Sequence, residues 1–282
     1  MEAHVFAIVL LAALLHATWN AFVKVDGDRL LFMAVLLAGS GVAAICALPF
    51  LPLPAAESWP YILWSILLHQ GYSAFLILAY RYGEISHVYP LARGSAPLIV
   101  AVLAVILVGE TLSPMGLTAV AIIGLGIMSL ALTRGAQGLR DPWAVVMALT
   151  TGCFIAGYTI VDGVGARLAG NAHSYAAWML GLEWIPITAY AFWVRRGEPL
   201  RHLRKTWKLA AFLGVLSLIA YWSVIWAMTQ APIALVAALR ETSIVFVLII
   251  GVVFLKERLS LLRLVATMAT LAGTALLKFS RS

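Results

Sequence analysis

The feature that most restricts the possible folds of this sequence is its series of long apolar runs, each separated from the next by a short polar segment. A helix needs about 20 predominantly apolar residues to cross a bilayer. Only 11% of the chain is charged while 63% is hydrophobic, whereas soluble domains carry roughly 25% charged residues. Lipid cannot hydrogen-bond backbone groups, so a chain crosses it as helices or as a closed barrel. The runs lack the short alternation of barrel strands, which predicts an all-α integral membrane protein.

The runs fall into two sets of five. They predict ten transmembrane helices near residues 4–24, 29–51, 60–82, 86–109, 113–132, 142–163, 171–194, 207–229, 231–254 and 259–279. The polar, glycine-containing stretch between the sets predicts a first five-helix repeat over 1–133, an inter-repeat linker over 134–141 and a second five-helix repeat over 142–282. Because five is odd, the two sets enter the membrane with opposite orientations.

The two halves also match in sequence. Arg240 follows Arg93 by 147 residues, and Glu257 follows Glu110 by the same interval. The same offset pairs Ser95 with Thr242, Leu112-Ser113 with Leu259-Ser260, and Gly126 with Gly273. At the ends of the first and sixth spans, Val25-Asp26-Gly27 matches Val161-Asp162-Gly163. Several matches in one register indicate a duplication and predict two inverted repeats, an arrangement typical of transporters.

The net charge of +7 comes from basic residues in loops beside the apolar runs. Such residues are typical of topology signals and of contacts with anionic lipid headgroups, and no nucleic-acid partner is predicted. Most of them lie in loops that follow odd-numbered spans, and these loops share one side of the membrane. The basic residues on the opposite side are Arg167, Lys278 and Arg281. The positive-inside rule therefore predicts that both termini lie outside the cytoplasm. Cys46 and Cys153 fall inside spans, where we expect them to pack rather than to bind metal or form a disulfide.

Three segments carry a family resemblance. They are His16-Ala-Thr-Trp-Asn20 late in the first span, Gly109-Glu-Thr-Leu-Ser113 after the fourth, and Lys256-Glu-Arg-Leu-Ser260 after the ninth. Together with the five-plus-five arrangement, they resemble the EamA-type transporters of the drug/metabolite transporter (DMT) superfamily. The resemblance implies a bundle around a central cavity, alternating access, efflux of amino acids, metabolites or drugs, and a bacterial-type cytoplasmic (inner) membrane. It also implies cytoplasmic termini, opposite to the charge distribution.

Charged residues inside the spans are the strongest candidates for function. A charge at the bilayer centre costs about 2.5–3.5 kcal/mol, so Arg93, Glu183, Arg240 and Glu241 are expected to face each other, backbone carbonyls or a wet cavity. Repeat symmetry brings Arg93 and Arg240 together at mid-depth, where guanidinium groups suit a carboxylate or phosphate. Two interpretations remain open: a structural arginine pair neutralised by the glutamates, or a site for an anionic solute. Adjacent residues on a helix do not face each other, so Arg240 and Glu241 are each expected to find a partner on another helix.

Polar and aromatic residues at helical spacing supply the remaining candidates. The predicted substrate-binding residues are Arg93, Arg240, Glu241, His16, Trp19, Asn20, Tyr89, Tyr158 and Trp222. The predicted proton-coupling residues are Glu183, three residues before Pro186, and His69. For each histidine and aromatic residue, ordinary interhelical packing is the alternative. Glu110 and Asp162, near span ends, are expected to serve as anchors or gate contacts.

These features predict a secondary transporter that exports a small polar or anionic metabolite, such as an amino acid, organic acid or phosphonate, with coupling to H⁺. The alternatives are an exporter of apolar or cationic drugs and a non-transporting membrane scaffold. The sequence carries no lipase, zinc-protease or phosphate-loop motif, so no enzyme is predicted. No cofactor and no metal site are expected. The predicted partners are the solute, membrane lipids and H⁺, with a homodimer through small residues such as Gly124 as a further possibility.

Overall fold

The computed structural model of the chain describes residues 1–23, 29–132, 141–253 and 261–280. Within these residues the regular structure is entirely helical, which confirms the all-α prediction. Several predicted features lie outside the described residues: the linker over 134–140, Val25-Asp26-Gly27, the Lys256 to Ser260 motif with Glu257, and Arg281.

Eleven α-helices follow one another along the described chain. The first half contains α1 (Ala3–Val23), α2 (Arg29–Ala47), α3 (Trp59–Tyr82), α4 (Ile85–Leu103) and α5 (Pro114–Met128). The second half contains α6 (Pro142–Leu168), α7 (Ala172–Arg195), α8 (Glu198–Gln230), α9 (Ile233–Arg240), α10 (Ser243–Val253) and α11 (Leu261–Phe279). Several helices begin at polar caps followed by proline: the Ser113 hydroxyl accepts from the Gly116 N–H, and the Asp141 carboxylate accepts from the Trp143 N–H.

Nine segments of the described chain are long and apolar enough to cross a membrane. The 24-residue α7 is also of spanning length but is not among the nine. It carries Glu183, Pro186 and several tryptophans and tyrosines, which lower its hydropathy. The membrane-spanning character of the chain is therefore confirmed, with α7 as a spanning helix of lower apolar content.

The predicted ninth span is not one continuous helix. It consists of α9 and α10, with a turn at Glu241 and Thr242 between them. Across this turn the backbone N–H groups of Glu241, Thr242 and Ile244 each donate to a carbonyl three residues earlier. The Thr242 hydroxyl also bonds the Leu239 carbonyl, at 2.8 Å. This tighter 3₁₀-type pattern interrupts the α-helix in the middle of the span.

Two helices extend beyond their predicted spans. α6 continues to Leu168 rather than ending near 163, and α8 begins at Glu198 rather than near 207. Apolar patterning alone could not locate the start of α8, because its added turns are basic yet helical, and the turn added to α6 contains Gly165 and Arg167. Cys46 and Cys153, expected to pack inside the bundle, are exposed on its surface. In a membrane that surface faces lipid, which accepts a small thiol.

The helices pack in pairs that join the two halves. α3 lies against α6 and α1 against α8, while α4 contacts α6 and α1 contacts α10. Two further pairs, α2 with α7 and α5 with α11, each join one helix of the first half to one of the second. The main apolar core lies among these helices and includes Ile62, Ile123, Met179 and Ile225, all fully buried. The two halves therefore form one bundle.

Candidate functional site

The centre of the candidate site is an ion pair between α4 and the break in the ninth span. Nη2 of Arg93 lies 3.0 Å from Oε2 of Glu241, and both side chains are almost completely buried. Pro90 and Pro97 flank Arg93 within α4. Glu241 takes its position because the turn after α9 directs it toward α4. The structure thus brings together two of the four charges that the sequence placed inside spans.

Arg240, the last residue of α9, lies on the other side of Glu241. Its Nε is 4.0 Å from Oε1 of Glu241, and its guanidinium lies over the ring of Tyr221, 5.8 Å from the ring centroid. Each of the two residues thus has a partner on another helix, Glu241 with Arg93 and Arg240 with Tyr221. The turn at Glu241 breaks the α-helical geometry, so these neighbouring side chains also come within 4.0 Å of each other. Arg93 and Arg240 are close enough to repel each other.

Several polar atoms in this cluster lack hydrogen-bond partners. Among the described residues, Nε of Arg93, Nε of Arg240 and Oε2 of Glu241 are buried without one. The short Arg93 to Glu241 contact is thus an ion pair without the aligned, two-bond geometry that arginine and carboxylate usually adopt. Arginine stays protonated in proteins, so two positive charges share one carboxylate. Within the described residues, this cluster is one negative charge short.

Aromatic side chains surround the arginines. Tyr158 of α6 is buried and, like Tyr89, lies within interaction range of Arg93. His16 of α1 interacts electrostatically with both arginines and packs edge-on against Trp19, at 4.9 Å between ring centroids. Three predicted binding residues, Tyr89, Tyr158 and His16, are therefore grouped with the arginine pair.

A second buried polar group lies beside the first. The ring of His69 on α3 stacks on Tyr158 at 3.9 Å, and its Nε2 is 3.9 Å from Oε1 of Glu183 on α7. Its Nδ1 lies 2.9 Å from the backbone carbonyl of Ser65. The Ser65 hydroxyl lies 3.3 Å from the same nitrogen, so Ser65 holds this edge of the ring through both its carbonyl and its hydroxyl. Both predicted proton-coupling residues are thus adjacent, and Tyr158 connects them to the arginine cluster.

Asp162 is the buried charge whose setting the sequence analysis missed. Expected near a span end, it is fully buried, because α6 continues for more than a turn beyond it. Its two carboxylate oxygens accept hydrogen bonds from Tyr175, at 3.0 Å, and from Tyr221, at 2.5 Å. The two tyrosines come from α7 and α8. The sequence contains these tyrosines within the seventh and eighth spans, which was the available signal. Which of them face Asp162 depends on how each helix is rotated about its axis, and only the fold shows this.

Three predicted binding residues lie away from the arginines or make no specific contact with them. Trp222 donates from its indole to Nδ1 of His173 at 2.9 Å, while its neighbour Tyr221 faces Arg240. Trp19 packs against a small apolar cluster that contains Phe32 and Leu213. Asn20 is half-buried near the end of α1.

Glu110, in the Gly109 to Ser113 segment that carries the family resemblance, joins the end of α6 to the start of α9. Its carboxylate lies 2.7 Å from Nη2 of Arg167 and accepts from the Ile233 N–H, at the start of α9, at 2.8 Å. Arg167 also donates to the carbonyls of Met228 and Ala231, at the end of α8. Glu110 therefore has the anchoring position that the sequence predicted for it.

The arginine cluster does not line either of two surface pockets. A pocket of about 460 Å³ lies among the ends of α6 and α8 and the start of α7, lined by Arg167, Asn171, His173 and Trp226. A second, of about 340 Å³, lies at the turn between α7 and α8 and is lined by Arg195, Arg196 and Arg201. Arg93 and Arg240 are instead buried by protein.

The second half of the chain, residues 142–279, matches the EamA-like transporter family. A solved crystal structure of a protein superposes on the chain with a TM-score of 0.78 and covers 99% of both chains at 18% sequence identity. At that identity the likeness shows the fold alone. No curated protein matches the chain in sequence.

Proposed function

We propose, on the premise that residues 142–279 match the EamA-like transporter family, that the chain is a secondary transporter that exports a small metabolite with one anionic group. EamA-like proteins are membrane transporters rather than enzymes, in agreement with the spanning helices of this chain. The proposed location is a bacterial-type cytoplasmic membrane, with the family resemblance supporting both location and direction.

The charge imbalance at the arginine cluster carries the proposal. Arg93 and Arg240 share Glu241, while Asp162 binds tyrosines and Glu183 faces His69, so neither of these neutralises the second arginine. An uncompensated buried charge is strongly destabilising. The carboxylate or phosphonate of a solute would supply the missing negative charge and would bond to the unpaired guanidinium N–H groups.

Alternating access by two inverted repeats is supported by how the helices pair. The contact of α3 with α6 has its counterpart, under the predicted repeat, in the contact of α8 with α1. Likewise, Gly126 of α5 lies close to Ala266 and Thr270 of α11, while its predicted equivalent Gly273 of α11 lies close to their equivalents in α5, Ala119 and Ile123. Equivalent residues make equivalent contacts, so the two halves can exchange conformations around the arginine pair.

The pair formed by His69 and Glu183 supports coupling to protons. In the tautomer in which Nδ1 of His69 donates to the Ser65 carbonyl, its Nε2 and the Glu183 carboxylate repel unless one of them holds a second proton. At 3.9 Å the two groups are not locked by a hydrogen bond, so the proton can leave. We infer that this pair loads and releases a proton during transport.

Transport by proteoliposomes tests this function. The full-length protein is reconstituted and the counterflow of radiolabelled lactate, alanine, glutamate and 2-aminoethylphosphonate is measured, with and without a pH gradient. We expect a monoanionic or zwitterionic solute to be carried, with transport reduced at least about 100-fold in Arg93→Gln or Arg240→Gln, because each loses a charge-assisted contact. Arg201→Gln, a change of an exposed arginine at the start of α8, is the matched control and should transport normally.

A cationic drug substrate is the alternative, favoured by the stacking of His69 and Tyr158 beside Glu183. In that case ethidium rather than the acids would be transported, Glu183→Gln would abolish the transport, and the arginine variants would retain it. That result would overturn the anionic assignment. Transport of neither class would favour a non-transporting scaffold.

A further inference from the structure

Glu241 occupies the position beside Arg93 that an anionic solute would need. We propose that Glu241 is an internal competitor of the solute: its carboxylate neutralises Arg93 in the empty protein, and the anionic group of the solute binds by displacing it toward Arg240. This inference rests on the proposed function and specifies the charge of the substrate. Four features of the cluster support it.

The contact between Glu241 and Arg93 is suited to displacement. Its shortest distance is 3.0 Å, yet Oε2 of Glu241 and Nε of Arg93 are buried without a hydrogen bond among the described residues. A carboxylate in good geometry bonds an arginine through two parallel N–H groups. A solute carboxylate that approaches Arg93 along its Nε edge would make both bonds, and it would therefore bind better than Glu241 does.

Glu241 also has a second position available. Its Oε1 is already 4.0 Å from Nε of Arg240, which has no hydrogen-bond partner among the described residues. A small rotation would close that gap to a hydrogen bond. Glu241 would then remain paired when the solute takes Arg93, and no buried carboxylate would be left without a partner.

The backbone at Glu241 permits such a movement. Glu241 lies in the two-residue turn between α9 and α10, where the hydrogen bonds run to the carbonyl three residues earlier. A stretch of 3₁₀ geometry inside a helix often marks a hinge. α9 itself has only eight residues, so its end can shift without bending a long helix.

The first half of the chain cannot supply a second carboxylate of this kind. At the offset of 147 residues, the equivalent of Glu241 is Gly94. A Cβ at Gly94 would lie 2.6 Å from the Gly124 carbonyl oxygen and 2.7 Å from the Met128 backbone nitrogen, so the close approach of α4 and α5 excludes any side chain. Two equivalent arginines are therefore matched with one glutamate.

Charge balance then specifies the substrate. The cluster of Arg93, Arg240 and Glu241 carries one net positive charge without solute and none when one anionic group binds. A solute whose one charged group near the cluster is a carboxylate or a monoanionic phosphonate leaves these three residues and that group neutral in sum, whereas a dianionic group leaves an excess negative charge in a medium that solvates it poorly. The transporter should thus select monoanionic groups over dianions.

Binding to the purified full-length protein in detergent tests the competitor role without transport. Thermal unfolding is followed by intrinsic fluorescence while sodium lactate or sodium succinate is titrated at constant sodium concentration. The wild-type protein should be stabilised by lactate more than by succinate. Glu241→Gln should melt at a lower temperature and bind anions at least about tenfold more tightly, because removal of a competitor raises the binding-competent fraction. Its preference should change to succinate, since two positive charges are then unbalanced.

Two further variants make the outcome decisive. Glu198→Gln neutralises an exposed carboxylate at the start of α8, outside the proposed site, so it should leave the affinity and the preference for lactate unchanged. Glu241→Asp keeps the charge but shortens its reach to Arg93. It should bind lactate more tightly than the wild type and retain the monoanion preference, and it can be used if Glu241→Gln does not fold.

The possible failures are distinguishable. If the wild type binds lactate through Arg93 but Glu241→Gln and Glu241→Asp bind it more weakly, Glu241 is a ligand of the solute and the competitor role is overturned, while the proposed function stands. If unchanged affinity and an unchanged preference are found in both variants, the competitor role is also overturned. If neither anion stabilises the wild type or any variant, the anionic site itself is refuted, and the proposed function fails with it.

Discussion

At the scale of single residues, Asp162 shows how this protein keeps a carboxylate buried without a basic partner in direct contact. The hydroxyls of Tyr175 and Tyr221 each donate to one of its oxygens, so three helices meet at one side chain. Hydrogen bonds to a charged acceptor are about twice as strong as neutral ones. Tyr221 also lies beneath Arg240, so Asp162 orients a wall of the arginine cluster without touching it. Asp162 is thus a positioning residue for the proposed site.

Removal of the hydrogen bonds to Asp162 should affect stability and anion affinity differently in different variants. Asp162→Ala leaves two buried hydroxyls without their acceptor and should destabilise the protein by about 2–5 kcal/mol. Tyr175→Phe removes one donor and leaves the contact of Tyr221 with Arg240 in place, so it should cost about 1–3 kcal/mol with normal anion affinity. Tyr221→Phe should also weaken anion binding, because Tyr221 packs against Arg240. Thermal unfolding and anion titration measure both effects, and equal anion affinity in the two tyrosine variants would contradict the positioning role.

At the scale of helices, the short α9 is held at both ends by charges. Glu110 accepts from the backbone N–H groups at its N-terminus, where a negative charge also suits the helix dipole. Arg167 joins the preceding α8 to the same carboxylate through the Met228 and Ala231 carbonyls. At the C-terminal end lie Arg240 and Glu241. A movement at the anchor can therefore be passed to the proposed site through a rigid two-turn helix.

Exchange of the two anchor charges should not restore stability. Glu110→Gln should cost about 1–3 kcal/mol, because a charge-assisted cap becomes neutral. The double variant Glu110→Arg with Arg167→Glu keeps an ion pair but should be less stable than Glu110→Gln, since a glutamate cannot donate to the carbonyls of Met228 and Ala231. The melting temperatures of the two variants and the wild type test this. Recovery of wild-type stability by the exchange would show that the contact is a simple ion pair and not a cap.

At the scale of the whole molecule, small residues join the halves. Gly126 and Gly273 lie in the contact of α5 with α11, and a Cβ at Gly273 would meet the side chain of Ile123 and the carbonyl of Ala119. Close approach at small residues is a common means of association in lipid. A homodimer through small residues such as Gly124 was one expectation from the sequence. Gly124 instead packs against Leu98 and Gly94 of α4 within the same chain. A dimer would have to use other surfaces.

The orientation of the bundle in the membrane, for which the charged loops and the family resemblance give opposite expectations, can be measured. Glu57 lies beside the end of α6, on the face that contains the chain termini, and Arg201 lies at the start of α8 on the opposite face; both are exposed. In a background with Cys46 and Cys153 replaced by serine, Glu57→Cys and Arg201→Cys are treated with a membrane-impermeant maleimide in intact cells. The positive-inside rule predicts labelling of Glu57→Cys alone. Labelling of Arg201→Cys alone would instead place both termini in the cytoplasm, as the family resemblance implies.

The sequence by itself determined that the chain crosses a membrane as helices, because lipid leaves few other ways to satisfy the backbone of such apolar runs. It also identified Arg93, Arg240, Glu241, Glu183 and His69, because charges and polar groups inside apolar spans are conspicuous. The tertiary structure decided how these residues are paired: Arg93 with Glu241 across helices, Arg240 with its own neighbour, and Asp162 with two tyrosines. Such pairings depend on where a helix breaks and on its rotation about its axis. Both are set by packing against other helices, which local periodicity does not encode.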